Sequence, residues 1–575
     1  MWCCAMTYYR VALFCTQPAM PSEMPPDWHP SCWPSCPTQP YLLQMPLASV
    51  DRVEKSIYTT AQNTTLMGLV LYGKDSGRQL RFTTPSYADT LRVYESIQTY
   101  AFPGRRNLGY LFAFESKREE VMASLVVDPM TGKKTISLEP TAKRFDPLVE
   151  FRRQMQNNPT WVCYTGVNAS YQLCDTYPTV LAGPASLSEA SSETQRILRQ
   201  SAQFRAGQRL PSLTWCNPKD GASLWRASQP KVGLQGNRSA ADEDYFRNIM
   251  DCATRANAAS GGKSNVPRWA LQKLVGTTDL TNWLPEPGIR LKILDMRPRS
   301  SAMANRTSGY GYENTSHYVG TTLQFCGIGN IHAVRDAYNK VSSLVHSPTT
   351  NDTTFSSQLE ESKWLGLIRL ILAASWEAAY WIHVHRLPVL VHCSHGWDRT
   401  SQVAALCQLF LDPYYRSIKG FCALMEKDFL AFGHPFHTRC AHGEGRGGEN
   451  VNGNDEGQIS PIFIQFLDAV SQIIRLMPNE FEFTGDFLLE LSQHVYSCRF
   501  GTLLCDSDRE RETVAAIRQR THSVWDYLET LEKCRNPHFQ EAKGVLLMPL
   551  SQLLRNVTLW VDYHCMYGPK PTKME

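Results

Sequence analysis

The 575-residue chain lacks any block of like charge: 58 Lys and Arg against 54 Asp and Glu leave a formal charge of +4. No basic tract argues for a nucleic-acid partner, and any anion-binding patch must be local. An uninterrupted apolar run is lacking too. The longest, Trp364 to His383, is broken by Arg369 and Glu377, and the spacing of Trp364, Leu367, Ile368 and Ile371 predicts a one-faced helix rather than a membrane span. The N-terminus offers one early Arg10 and the brief apolar stretch Val11 to Phe14, a poor secretory signal. Eighteen cysteines are scattered without the spacing of a disulfide framework, and Cys32-Trp-Pro-Ser-Cys36 has no second pair at zinc-finger distance. No metal and no cofactor are expected, and the free thiols suit a reducing, cytoplasmic compartment.

What the chain does have is Val-His-Cys-Ser-His-Gly-Trp-Asp-Arg-Thr-Ser-Gln at 391–402. Cys393 and Arg399, five residues apart, bracket a loop between an apolar strand, Leu387 to Val391, and an amphipathic helix. The helix follows from Val403, Leu406, Cys407, Phe410 and Leu411, a stripe that would face a sheet. A loop ending at a helix N-terminus presents unpaired N–H groups and the positive end of the helix dipole to a dianion, and Arg399 adds a bidentate grip. The same field depresses a thiol pKa, which makes Cys393 a nucleophile beside a bound phosphate. A lone Cys-x5-Arg arises by chance and a buried cysteine is commonly inert. Strand before, helix after, Gly396 within and a hydroxyl at Thr400 together favour chemistry.

Three further loop residues admit two readings each. Asp398 is either a turn-former bonding its own backbone or the general acid that protonates the leaving oxygen. Trp397 either packs under the loop or shelves the substrate ring. Thr400 bonds the thiolate, caps the helix, or does both.

Beyond the loop come Tyr171-Gln-Leu-Cys-Asp-Thr-Tyr-Pro178, Arg226-Ala-Ser-Gln-Pro230, Asp295-Met-Arg-Pro298, Gly309-Tyr-Gly-Tyr-Glu313, Gly329-Asn-Ile-His332, Ser460-Pro-Ile-Phe-Ile-Gln-Phe466 and Tyr496-Ser-Cys498. In this order they resemble the myotubularins, a family of inositol-lipid 3-phosphatases whose signature loop reads Cys-Ser-Asp-Gly-Trp-Asp-Arg-Thr. Cys393, Ser394, Gly396, Trp397, Asp398, Arg399 and Thr400 match that loop, and His395 departs from it. The resemblance spans residues 50–565.

The resemblance implies an α/β fold, as does the alternation of strands and helices around the loop. A cysteine-based, protein-tyrosine-phosphatase-like domain is expected over 140–569, its central sheet flanked by helices. A partial, β-rich, pleckstrin-like GRAM module is expected over 49–118: strands at Leu66 to Tyr72 and Gln79 to Thr83, then a helix with Leu91, Tyr94 and Ile97 on one side. That module is either a membrane reader or a buttress for the catalytic domain. Residues 1–48, rich in Pro, Cys, Met and Trp without periodicity, read as a disordered extension. Residues 441–458, rich in Gly and Asn, read as an exposed, mobile loop.

The implied chemistry is hydrolysis of the 3-phosphate of phosphatidylinositol 3-phosphate, and of the 3,5-bisphosphate, through a cysteinyl phosphate. Cys393 attacks, Arg399 steadies the phosphoryl oxygens, and Asp398 is the first choice of acid. Asp295 is the alternative acid, or else a strand-end residue paired with Arg297. Ser394, His395, Gly396 and Trp397 of the loop, with Asn305, Asn330 and Ile331, align with family positions around the head group. Arg439 is the expected cation for a second phosphate, but Pro435 stands where another basic residue is common. That departure implies a weaker preference for the bisphosphate unless His395 or His437 compensates; His395 is otherwise a tolerated exposed substitution. Implied partners are phosphoinositides at the surface of endosomal or other intracellular membranes, and homo- or hetero-oligomers with related phosphatases. A weakly active or inactive phosphoinositide-binding adaptor is one alternative, disfavoured by the retained cysteine and arginine. A protein tyrosine or dual-specificity phosphatase is the other, disfavoured by the Trp-Asp pair and the breadth of the resemblance.

Overall fold

The computed structural model describes residues 2–6, 9–15, 42–59 and, with short gaps, 63–567; the longest of those gaps are 128–133, 137–144 and 446–456. Three strands, Trp2–Met6 (β1), Arg10–Cys15 (β2) and Leu42–Pro46 (β3), pair antiparallel in that order. Val50–Thr59 (β4), Thr65–Gly73 (β5) and Gln79–Thr83 (β6) form a second antiparallel sheet. Helix Tyr87–Ala101 (α1), capped by the Ser86 hydroxyl on the Asp89 amide, adds Ile97 to a core that includes Val11, Met45, Leu69 and Leu80.

Strands β1 to β3 replace the irregular extension expected over 1–48. Among the described side chains Val11 of β2 and Met45 of β3 are fully buried; the Pro-, Cys- and Met-rich composition around them masks strand periodicity in the sequence. Residues 16–41, with Cys32 and Cys36, lie outside the described residues. The unit does not stand apart. Ala48, Leu111, Ala113 and Phe114 share a cluster with Cys498, Leu504, Ala515 and Ile517 of the larger body.

The larger body is built on five strands: Ser212–Cys216 (β7), Ser223–Ser228 (β8), Leu291–Asp295 (β9), Thr321–Phe325 (β10) and Pro388–Cys393 (β11). Their spatial order is β7-β8-β11-β9-β10, with β7 antiparallel to β8 and every other pair parallel. Strand β11 is central and buried along its length, which suits its Val-Leu-Val run. Val389 and Val391 face one apolar cluster while Leu390 faces another, so both faces of the sheet are covered. The α/β expectation holds as a mixed sheet between helical layers.

Helices Ala240–Ala259 (α2), Ile331–His346 (α3), Trp364–His385 (α4), Arg399–Leu411 (α5) and Ile462–Leu476 (α6) supply much of that cover. The expected one-faced character holds for α4, whose unburied Gly366, Arg369, Leu370, Ala373 and Glu377 form one stripe, and is corrected for α5. All 13 residues of α5 are buried, because α4, α6 and the sheet enclose it and its glutamines are satisfied: Gln402 donates to Ile462 O at 2.7 Å and Gln408 to Asp428 Oδ2 at 2.8 Å. Helix α4 is long and apolar enough to cross a membrane, but 72% of that window is buried inside the protein, as for a core helix.

Candidate active site

Paired in register, the C-terminal ends of β8, β9 and β11 bring Ser228 opposite Cys393 and Asp295 opposite His392. The edge where parallel strands end is where α/β sheets bind ligands. There the chain turns through residues 394–398 and enters α5. Within the turn Gly396 has φ +76°, and a Cβ on it would lie 2.4 Å from the carbonyl oxygen of Ala227; only glycine fits.

Cys393 Sγ is buried and accepts two hydrogen bonds, from the Thr400 hydroxyl at 3.2 Å and the Gly396 amide at 3.3 Å. Burial pushes the thiol pKa up, and the Asp398 carboxylate adds to that; Arg399, the Thr400 hydroxyl and the Gly396 amide outweigh them, so the net shift is below the ordinary value. Of the two roles open to Thr400, the thiol bond is present. Arg399 donates from Nη1 to Ile328 O at 3.1 Å, and its other nitrogens have no hydrogen bond among the described residues.

The loop is held from behind by residues to which sequence reading assigned no role. Arg209 and Arg226, both fully buried, converge on the carbonyl of Gly396 at 3.0 and 2.9 Å. Arg209 also donates to Phe432 O, and Arg226 to Ser401 Oγ and the Asp428 carboxylate. The Gln229 amide donates to Ser394 O at 3.2 Å and His434 Nδ1 to Trp397 O at 2.8 Å. A second ion cluster lies under His392: Arg205 bonds Asp242 and Glu313, and Glu313 stands 3.0 Å from His392 Nε2. Burial lowers the His392 pKa, but Glu313 and Asp295 outweigh it and raise it above the usual value. A charged residue inside a strand as buried as Arg226 in β8 was the available signal, since such a residue must find partners.

On the open side, Asp398 does not bond its own backbone. Arg439 forks onto its carboxylate at 3.0 and 2.8 Å, and His434 Nδ1 lies 3.4 Å away. Burial works against the ionised form, yet Arg439 and His434 prevail and hold the carboxyl well below the usual range. Arg439 is therefore turned to Asp398, and Nη1 donates to Gln458 O, rather than standing free for a second phosphate. Asp295 is wholly buried and takes Arg297 on both oxygens, with Nε at 2.9 Å and Nη2 at 2.6 Å. That is the strand-end pairing, and it leaves Asp295 poorly placed as an acid.

His395 is exposed and stacks on Trp397 with centroids 4.8 Å apart. Surrounding protein pushes its pKa down, as do Arg209, Arg439 and Arg399, against Asp398. A neutral ring at neutral pH is not the cation that compensation for Pro435 required. His437, by contrast, is buried and 3.9 Å from Glu444, so it faces inward. Trp397, with the guanidinium of Arg209 5.6 Å from its centroid, also lines a cavity of about 400 Å3 with Thr176, Pro435, Thr438, Arg439 and Asp506. Asn305 donates to Gln229 Oε1 at 3.0 Å and to Ser394 Oγ at 3.4 Å, which places it at the loop. Asn330 caps α3 by accepting from the Ala333 amide, and Ile331 O is taken by the Ser460 hydroxyl. The polar stretch 441–458 begins with buried Ala441 and His442 instead of exposed chain, and 446–456 lies outside the described residues.

A buried thiol whose pKa is shifted down, in a glycine-bent turn between a central parallel strand and a helix, has the make-up of a phosphatase centre with a candidate cysteine nucleophile. Residues 122–512 match the model of the myotubularin-like phosphatase domain. The chain is 36% identical over 538 residues to mouse phosphatidylinositol-3,5-bisphosphate 3-phosphatase MTMR2, covering 93% of this chain and 73% of that protein. Chicken MTMR2 is 35% identical, with 93% and 82% covered. Myotubularin of Xenopus tropicalis is 33% identical over 530 residues, with 92% and 76% covered. The chain belongs to the myotubularin family.

Proposed function

We propose that the protein is a phosphoinositide 3-phosphatase, a phosphoric monoester hydrolase acting on phosphatidylinositol 3-phosphate and its 3,5-bisphosphate. The observation that carries the reading is the Cys393 thiol, bonded by Thr400 and Gly396 at the end of β11. The names of the mammalian and avian relatives point to the same substrate class.

In the first step Cys393 Sγ forms a bond to phosphorus while the bond to the inositol oxygen breaks. Loop amides and Arg399 take the charge on the phosphoryl oxygens, and Asp398 gives its proton to the leaving oxygen. In the second step water attacks phosphorus, Asp398 takes the water proton, and the thiolate leaves. Asp398 must be protonated to begin, so the Arg439 fork has to loosen as substrate enters; a phosphate dianion beside the carboxyl and a rival anion for Arg439 both raise its pKa. The readings of Ser394, Gly396 and Asn305 as head-group contacts rest on their place at the loop. Asn330, Ile331 and His395 have weaker claims, since a helix cap, a spent carbonyl and a neutral ring occupy those positions.

The two antiparallel sheets and α1 are read as the pleckstrin-like GRAM module, and the shared cluster with the larger body supports the buttress role. A lipid substrate supports the reading that the protein works from the cytoplasm at endosomal or other intracellular membranes, alone or with related phosphatases. The adaptor reading draws on one observation, the closed Asp398–Arg439 pair. Phosphate release from both lipids by purified protein, with Cys393→Ser as control, decides: release abolished by the substitution supports the phosphatase, and lipid binding without release supports the adaptor.

A further inference from the structure

Arg439 sits on the helix Phe436–Cys440, which has only five residues. So short a helix cannot hold itself in place; its position is imposed from outside. The residue after it, Ala441, has φ +50°, the left-handed region that costs a residue with a Cβ on the order of 1 kcal/mol. Its carbonyl accepts a hydrogen bond from Lys74 Nζ at 2.6 Å. Lys74 directly follows β5 and donates also to Ala48 O at 2.8 Å. Lys74 is half-buried, and desolvation pushes its pKa down against Cys498 and Asp51. A desolvated ammonium is costly unless every bond it makes is needed.

Other contacts from the N-terminal unit grip the chain on both sides of Arg439. Ahead of it, Thr438 gives its amide and hydroxyl to Asp506, and Arg105 binds the same carboxylate at 2.8 Å. Beyond it, the Gly443 carbonyl accepts from the Gly104 amide at 2.9 Å. Gly445 lies so close to Phe102 and the Asp51 carbonyl that a Cβ there would sit 2.2 and 2.4 Å from them.

We infer that Lys74 is a positioning residue for the reaction: by fixing the Ala441 carbonyl it sets the Arg439 guanidinium, and through it the Asp398 carboxyl, over the cysteine loop. The N-terminal unit then contributes to proton transfer without touching substrate. This inference rests on the reading of Asp398 as the acid.

The leaving group tests it. A short-chain phosphatidylinositol 3-phosphate expels an alkoxide that needs a proton, whereas p-nitrophenyl phosphate expels a stable phenolate that does not. With the full chain, Asp398→Asn should lower kcat/KM on the lipid by about 100-fold or more. Lys74→Met should lower it about 10-fold; because kcat/KM excludes the water step that both substrates share, the loss on the aryl phosphate should be smaller than on the lipid by about 10-fold or more for Asp398→Asn and by about 3-fold for Lys74→Met. Lys74→Arg, which keeps a cation within reach, should restore part of the lipid activity. Equal losses on both substrates for Lys74→Met, or no loss on either, would overturn the inference. A missing leaving-group difference in Asp398→Asn would instead remove the acid assignment on which it rests. Should Lys74→Met fail to fold by circular dichroism, Lys74→Gln, which retains a donor but shortens the reach, gives the same comparison.

Discussion

Arginines reach the catalytic loop from two sides. Behind it, Arg209 and Arg226 are wholly buried and donate to the Gly396 carbonyl, a backbone atom whose charge never changes. In front, Arg439 holds Asp398, whose charge must change twice in each proposed turnover. A constant partner suits a dry, permanent network. A partner that titrates needs a grip able to yield, and Arg439 accordingly stands on a five-residue helix between loops while Arg226 is anchored in the sheet.

The largest effect is expected from an attack on the rear set. Arg226→Met removes donors from Gly396 and Ser401 and a partner from buried Asp428, at a cost of about 3–5 kcal/mol; the thermal midpoint should drop and soluble yield should fall. Gly396→Ala leaves the arginines but cannot take the loop shape. With its Cβ against Ala227 O, phosphate release should fall by roughly 100-fold while circular dichroism stays native. A front-side change separates the two sets: Arg439→Met should lower the midpoint less than Arg226→Met, because the freed Asp398 can take up a proton, and lower kcat on the inositol lipid by about 10-fold. A large loss of stability there would erase the contrast.

Two smaller changes sharpen it. Thr400→Ala removes a bond that lowers the Cys393 pKa, so the midpoint of the pH dependence of Cys393 alkylation should move up, with less thiolate at any given pH. An unmoved midpoint would leave Arg399 and the Gly396 amide as the whole cause. His395→Asp should have the smallest effect. Its ring is held neutral at neutral pH, so the profile between about pH 7 and 8 should match the native enzyme, the ordinary histidine value being about 6.5; a change confined to that range would show that His395 carries charge after all.

The catalytic turn was legible because its chemistry is written in consecutive residues: Cys393 to Thr400, the apolar strand before and the helix after. The partners of those residues were not. Arg209 and Arg226 arrive from other strands and loops, and no local pattern joins them to Gly396. The Asp398–Arg439 fork was half visible, since both residues drew attention for separate reasons and nothing in their spacing paired them. Asn330 carries a role that its motif did not announce: its Oδ1 caps α3 by accepting from the Ala333 amide. Strands β1 to β3 escaped because the Pro-, Cys- and Met-rich composition of 1–48 shows no strand periodicity.

The strand order bears on how the chain is made. Strand β11 is the last of the five to emerge during synthesis, yet it belongs in the middle, between β8 and β9. Until it arrives those two strands have open edges and the sheet is two separate halves, the kind of exposed intermediate that invites misassembly. The proposed nucleophile, Cys393, rides on the strand that closes the gap, and Arg439, which pairs with Asp398, emerges later still. A prematurely terminated chain therefore carries no working centre, and the reactive thiolate comes into being only in a molecule whose sheet is already complete.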